Sequence, residues 1–350
     1  MNTIIYFILM LSAIILIHEV GHFCMARLFN VYIYEFSIGM GPKILKWKGK
    51  ETVYSLRLLP VGGMVAMAGD EQREDASEIP NNRLFSTIAN WKKICILLAG
   101  PVMNFILAWV ILVGIYTNLG YVIDPPPAVI NGVIENSPAQ KAGFEFGDKI
   151  LKITFKDGTT VEPKDFYELI QYTQLHTDET IYTIMRGEEV SEISVTPEFN
   201  ETENRYMVGM LAPESNQRQL DFFGAIKEGS RDFVTATTSM IEVLQTMLRG
   251  VGLNNLSGPV GIYTITEQQI SYGIIAFLSL VAMLSVNVGF MNLLPIPMFD
   301  GGRILITLIE SVTKRKLPER IETGLMLGSL ALILLLFVFV TFNDVSRLLG

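Results

Sequence analysis

A chain of 350 residues has room for a membrane core and one modest soluble domain. Half of its residues are hydrophobic, only 18% are charged and mean hydropathy is +0.38, a balance that argues against an ordinary soluble enzyme and for a membrane protein. The net charge is −8 and no basic stripe with interleaved aromatics occurs, which excludes a nucleic-acid surface.

Residues 4–25, 94–119, 274–294 and 324–342 are apolar over lengths that span, or nearly span, a hydrocarbon core of about 30 Å. The first run lacks a basic leader and a small-residue cleavage site, so it reads as a span and not as a removed secretory signal. Beyond it, Thr52 and Val53-Tyr54-Ser55-Leu56-Arg57-Leu58-Leu59 read as a short strand, with residues 31–36 as its partner. The stretch 61–69 is too apolar for a solvent loop and too glycine-rich for a stable helix. Irregular backbone at membrane depth needs cover from protein or a wet cavity, so this stretch is expected to dip in beside an active site. Residues 76–84 read as a plain connector.

Residues 27–93 hold ten basic and seven acidic side chains, while residues 120–272 hold eleven and twenty-two. Lys314-Arg315-Lys316 repeats the basic bias between the last two spans. The positive-inside rule then places the first and third loops in the cytoplasm, and both termini and the long middle segment outside. Within that segment residues 125–197 alternate short strands and two helices, a small β-rich domain. Ser137-Pro138 opens one helix and Gly143 closes it. Residues 221–250 have a helical apolar face interrupted by Lys227, Glu228, Arg231 and Asp232, which suits an amphipathic helix on the outer surface. Leu256-Ser257-Gly258-Pro259-Val260-Gly261 reads as an apolar turn before the third span.

The fold class expected is a polytopic α-helical membrane protein with about four transmembrane helices, a membrane-associated β-hairpin and one extracytoplasmic domain. Its parts are residues 1–120, 125–197, 221–250 and 256–350. Cys24 and Cys95 form no Cys-x-x-Cys pair and are expected to be free.

His18-Glu19-Val20-Gly21-His22 closes the first span, where ionisable side chains are expensive and mark function. Four residues along a helix turn two imidazoles about 40° apart and ~6 Å along the axis, so both can grasp one ion. Glu19 lies near the same face and is placed to take a proton from water. A catalytic Zn2+ takes three protein ligands and keeps one position open. The one further histidine, His176, reads as a surface residue of the soluble domain. Asp300 is therefore the expected third ligand, carried back by Pro295, Pro297 and Gly301-Gly302 after the third span. Its alternative role is to cap the helix that follows. Asn287 and Asn292 are candidates for an oxyanion or substrate-backbone donor, or for interhelical bonding. Asn104 reads chiefly as a packing or helix-positioning residue, with substrate contact as the alternative. The strand from Val53 to Leu59 is a candidate for capturing an extended substrate by strand addition.

His18-Glu19-Val20-Gly21-His22, Gly100-Pro101-Val102-Met103-Asn104-Phe105 and the stretch from Asn292 to Gly302 together resemble the site-2 protease family of intramembrane metalloproteases. The soluble segment with Gly132-Val133-Ile134, Ser137-Pro138-Ala139, Ala142-Gly143 and Gly147-Asp148 resembles a bacterial PDZ domain. Phe299 stands where the family usually has leucine before its aspartate, a change that keeps bulk and apolarity. The resemblance implies one zinc ion per chain, a catalytic face near the cytoplasm and a bacterial cell membrane. It also implies cleavage of single-pass membrane proteins or signal-peptide remnants after a first cut by an upstream site-1 protease. The competing readings are a membrane scaffold with a degenerate metal site and a membrane metalloprotease that trims soluble peptides.

Overall fold

The computed structural model describes residues 2–70, 79–175, 178–200, 205–248 and 258–349. The readings made of His176, of Leu256-Ser257 and of the first part of the connector fall outside those residues. The chain divides into two compact units, residues 1–118 with 222–350 and residues 119–221.

In chain order the first unit opens with helix α1 (Asn2–Leu28), strands β1 (Ile33–Lys48) and β2 (Val53–Met67), and helix α2 (Asn90–Leu119). The second unit holds β3 (Tyr121–Asp124), β4 (Gly132–Val133), α3 (Pro138–Ala142), β5 (Lys149–Thr154), β6 (Thr160–Val161) and α4 (Phe166–Leu175). It continues with β7 (Thr180–Arg186), β8 (Glu189–Val195), β9 (Glu198–Asn200), β10 (Arg205–Met207), β11 (Met210–Leu211) and β12 (Asn216–Gln219). The first unit resumes with α5 (Phe222–Leu248), α6 (Pro259–Ser271), α7 (Ile274–Leu293), α8 (Asp300–Thr313) and α9 (Glu319–Leu349).

α1, α2, α7 and α9 are long and apolar enough to cross a bilayer. Two apolar clusters bracket the middle of α1. Met10 and Ile14 pack on Phe277, Leu280 and Val281 of α7. One turn past His22, Ala26 joins Ile33, Phe36, Val65, Met67, Ile96 and Leu97 from the sheet and α2. The two histidines lie between these cores. α5 packs on α2 and α7 through Phe233, Ala236 and Met240, and its polar start is satisfied by α2, with Trp109 Nε1 donating to Ser230 and the Tyr116 hydroxyl to Asp232.

Two helices differ from expectation. The segment after Gly258 is α6 and not a turn, because Pro259 at its first position needs no N–H partner. The helix weighed after Asp300 is present as α8 and runs to Thr313, so Lys314-Arg315-Lys316 follows its end and does not belong to one long basic loop.

The sheet corrects the expected strand edge. Residues 35–38 pair with 53–56 on one side and with 63–66 on the other, while 45–48 pair with 53–56. Residues 53–56 thus have partners on both sides. Among the described residues the outer edges are the end of β2, up to Met67, and residues 43–48. Glu35 lies buried in this sheet and accepts bonds from Lys43 Nζ at 2.6 Å, Ser55 Oγ at 2.6 Å and an Arg57 nitrogen at 3.0 Å.

In the second unit, β6-β5-β7-β8 form an antiparallel sheet over a core that includes Ile130, Ile153, Phe166, Leu169, Tyr182 and Ile184. Ser137 caps α3, accepting from the Gln140 amide, and Gly143 ends it in a left-handed conformation. Strand pairs β11–β4 and β12–β3 carry this unit past Pro197 to Asp221.

Burial alone would raise the Glu35 carboxyl, but bonds from Lys43, Ser55 and Arg57 outweigh it and hold the group below the ordinary carboxylate range. Its contribution to stability is therefore complete above the ordinary carboxylate pKa and lost as pH falls through the lowered folded value. Glu35→Gln should destabilise the first unit by about 1–3 kcal/mol at pH 7 and flatten its acid sensitivity, as measured by thermal unfolding in detergent at neutral and acid pH.

Candidate metal centre

His18 and His22 stand one turn apart on α1, and their Nε2 atoms are 3.1 Å from each other. Asp300 Oδ2 is 3.2 Å from His18 Nε2 and 3.4 Å from His22 Nε2. A tetrahedral zinc ion with bonds of about 2.0–2.1 Å sets its ligands ~3.3 Å apart, so the three separations match the edges of such a site. Asp300 Oδ2 is buried and has no hydrogen-bond partner among the described residues. A carboxylate oxygen and two imidazole lone pairs repel one another unless a cation lies between them. The donor set and the unpartnered oxygen both fit zinc.

Asp300 reaches this point because the chain turns back sharply after α7. A Cβ on Gly301 would come within 2.2 Å of the Leu293 carbonyl oxygen, and one on Gly302 within 2.2 Å of that of Ile296. Only glycine fits either contact. Phe299 holds the cap position of α8 without a side-chain cap bond and Asp300 is the first helical residue, so Asp300 is not the cap. Arg303, one turn along α8, pairs with Asp70 and lies over the Phe85 ring at 5.6 Å. This ties the start of α8 to the chain just past β2.

α2 packs directly behind the histidines. A Cβ on Gly21, inside the motif, would meet the Ala99 carbonyl oxygen at 2.3 Å. A Cβ on Gly100 would lie 2.5 Å from His22 Nε2 and 2.8 Å from His18 Cε1. Pro101 removes an N–H from the α2 ladder and so leaves the carbonyl four residues earlier, that of Leu97 beside Ile96, without its helical partner. His22 Nδ1 donates to the Ile96 carbonyl oxygen at 2.8 Å.

Glu19 faces the end of β2. A Cβ on Gly63 would lie 2.6 Å from Glu19 Cγ and 3.5 Å from its carboxyl carbon, with the Val65 backbone close by. The glycine-rich stretch 61–69 therefore does lie beside the cluster, as an ordered strand edge and not as an irregular loop. Asn104, fully buried, has its side-chain amide 3.3 Å from His18 Nδ1. Asn292 Nδ2 donates to the Val288 carbonyl of its own helix at 3.0 Å, and Asn287 Oδ1 is buried without a partner among the described residues. Neither is bonded to the cluster. Cys24 and Cys95 are free. The contacts of Gly63 and Val65 with Glu19 and of Ile96 with His22 were not anticipated. Glycine inside the motif and at Gly100 was the one available sign of close approach.

A buried two-histidine, one-carboxylate cluster with an adjacent glutamate, set among bilayer-length helices, defines the class as membrane metalloprotease. Residues 6–336 match the profile of peptidase family M50. A zinc metalloprotease of Bacillus licheniformis named RasP is 30% identical over 430 residues, covering 99% of this chain and all of the relative. The regulator of sigma-W protease RasP of Bacillus subtilis is 29% identical over 425 residues, covering 99% of each chain. A Clostridium acetobutylicum protein named as a zinc metalloprotease is 34% identical over 344 residues, 98% of this chain and 97% of the relative. Among solved structures, the PDZ domain of an SdrC-like protein from Listeria monocytogenes covers 26% of this chain and 92% of its own, with 17% identity and a TM-score of 0.22. The chain belongs to peptidase family M50, the site-2 proteases. It is a membrane metalloendopeptidase whose cofactor is zinc.

Gly100→Ala drives a methyl group into both imidazoles and should lower zinc content more than tenfold after a chelator wash. Gly114→Ala in the same helix, where nothing lies within 4 Å, should retain wild-type zinc. Elemental analysis of the two purified variants checks this.

Proposed function

We propose that this chain is an intramembrane endopeptidase that cuts peptide bonds within transmembrane segments of membrane-protein substrates. One observation carries the reading: the buried cluster of His18, His22 and Asp300 sits within apolar helices, with Glu19 against an open strand edge.

In this mechanism His18 and His22 through Nε2, and Asp300 through Oδ2, hold one zinc ion. When bound, the ion supplies Lewis acidity toward water and the scissile carbonyl. Glu19 takes the proton from the attacking water and returns it to the leaving nitrogen. The close approach of Gly63 holds the Glu19 side chain against the end of β2 for both transfers. Asn287 and Asn292 are the donor candidates toward the oxyanion or substrate backbone through Nδ2, of which Asn292 already gives one N–H to the Val288 carbonyl. The substrate is unwound and added as a strand at the end of β2 near Gly63 and Val65, in place of the doubly paired strand from Val53 to Leu56.

The charge bias of the loops supports both termini and the 119–221 unit lying outside the bacterial cell membrane, with the catalytic face near the cytoplasm. Substrates of this kind are single-pass membrane proteins or signal-peptide remnants, trimmed first by an upstream site-1 protease. The name of the Bacillus subtilis relative favours the anti-sigma-factor type. The PDZ-like 119–221 unit then screens substrates, by size or by binding a freshly made C-terminus.

Glu19→Gln should cut turnover about 10²–10⁴-fold with zinc retained, while Asp300→Ala should lose the zinc as well. Membrane-protein fragments from cells carrying wild type or Glu19→Gln map the cuts. Scissile bonds lying wholly outside apolar segments would sink the intramembrane reading.

A further inference from the structure

We infer that Asn104 is a positioning residue that sets the tautomer of His18, accepting a hydrogen bond from Nδ1–H so that Nε2 is free for the ion. The inference rests on the reading of His18 as a ligand.

A neutral imidazole has one N–H and one lone pair. A histidine that ligates through Nε2 must carry its proton on Nδ1, and a buried N–H needs an acceptor. For His22 that acceptor is the Ile96 carbonyl oxygen, 2.8 Å away. A carbonyl can only accept, so the proton of His22 is on Nδ1 and its lone pair faces Asp300. For His18 the group facing Nδ1 is the carboxamide of Asn104, 3.3 Å away through Nδ2. Asn104 has no exposed surface, and its Oδ1 has no hydrogen-bond partner among the described residues. With nitrogen toward His18, a ligating tautomer sets two donors face to face and strands the acceptor. A half-turn of the carboxamide brings Oδ1 to Nδ1–H and replaces that conflict with a bond.

The surroundings hold Asn104 in place for this role. Its backbone carbonyl accepts from Ser285 Oγ of α7 at 2.8 Å, and Ser285 is fully buried too. Asn104 lies one turn beyond Gly100, on the face of α2 that the missing Cβ opens to both imidazoles. Gly100-Pro101-Val102-Met103-Asn104 thus acquires a single purpose. Its glycine admits the rings, its proline interrupts the ladder at Leu97 beside the Ile96 acceptor, and its asparagine orients the other ring.

The test uses the full chain in detergent and measures zinc affinity by chelator competition, beside ¹⁵N-histidine spectra. Only three histidines occur, so the spectrum can be assigned. Asn104→Leu keeps the bulk but removes the acceptor, and should weaken zinc binding about 10–100-fold and move the metal-free His18 proton toward Nε2. Asn104→Asp keeps an acceptor at the same place and should stay within about threefold of wild type. If Asn104→Leu does not fold, Asn104→Ala takes its place. Wild-type affinity in Asn104→Leu, or equal losses in Asn104→Leu and Asn104→Asp, would overturn the inference, the second outcome marking a role in packing alone. Wild-type affinity in His18→Ala would instead overturn the ligand assignment beneath it.

Discussion

Two imidazole nitrogens and one carboxylate oxygen, all within 4.8 Å of one another, form an arrangement that protein atoms alone do not favour. Each is an acceptor when ready to ligate, and apolar surroundings offer no water to separate them. A cation resolves the conflict, which makes the cluster a binding site by electrostatics before any chemistry is considered. The first unit is arranged around that demand. α1 supplies the nitrogens, the reversed chain after α7 supplies the oxygen, and Arg303 with Asp70 fastens the start of α8 to the end of the sheet. The apolar clusters on either side keep the histidine turn of α1 from shifting along its axis.

Helices in a bilayer gain little from hiding apolar surface against one another, so close association depends on small residues and on polar bonds between helices. Both devices operate between α1 and α2. Gly21 admits the Ala99 carbonyl, and Gly100 admits the imidazoles. The bond from His22 to Ile96 is then available because the backbones are near enough. Substituting either glycine would separate the helices and lose that bond, so packing and ligand orientation form one constraint. The long separation in sequence between His22 and Ile96 conceals it.

What could be read from the chain follows from the range of each interaction. The spans and the His-Glu-x-x-His turn are local patterns, fixed by composition and by helical spacing, and the chain alone reveals them. The bounds of α3 were equally legible, since Ser137 and Gly143 carry their capping chemistry with them. The sheet was only half legible. Strand character at Val53 to Leu59 is a local property, but which edges stay open depends on β1 being paired from two sides. That order is set by contacts across the whole hairpin region. α6 was concealed for another reason: it is short, and Gly258-Pro259 is a turn signal as much as a helix start. Aspartate in a turn with two glycines was a strong sign of a returning chain, because no other residue tolerates the carbonyl contacts found at Gly301 and Gly302.

Under the proposed reading, a sheet beside the metal centre also bears on how a helical substrate would be cut. A transmembrane helix satisfies every backbone group internally, and opening it in an apolar setting costs several kcal/mol for each group left unpaired. An open strand edge offers replacement partners at each second residue, which offsets that cost where the chain is unwound. At the end of β2 the Gly63 backbone already lies against the Glu19 side chain. An extended segment lying along this edge passes the proton-transferring carboxylate at backbone distance. The requirement for unwinding and the placement of the base are then met by the same short stretch of chain, and a flexible loop at Gly62-Gly63 would meet neither.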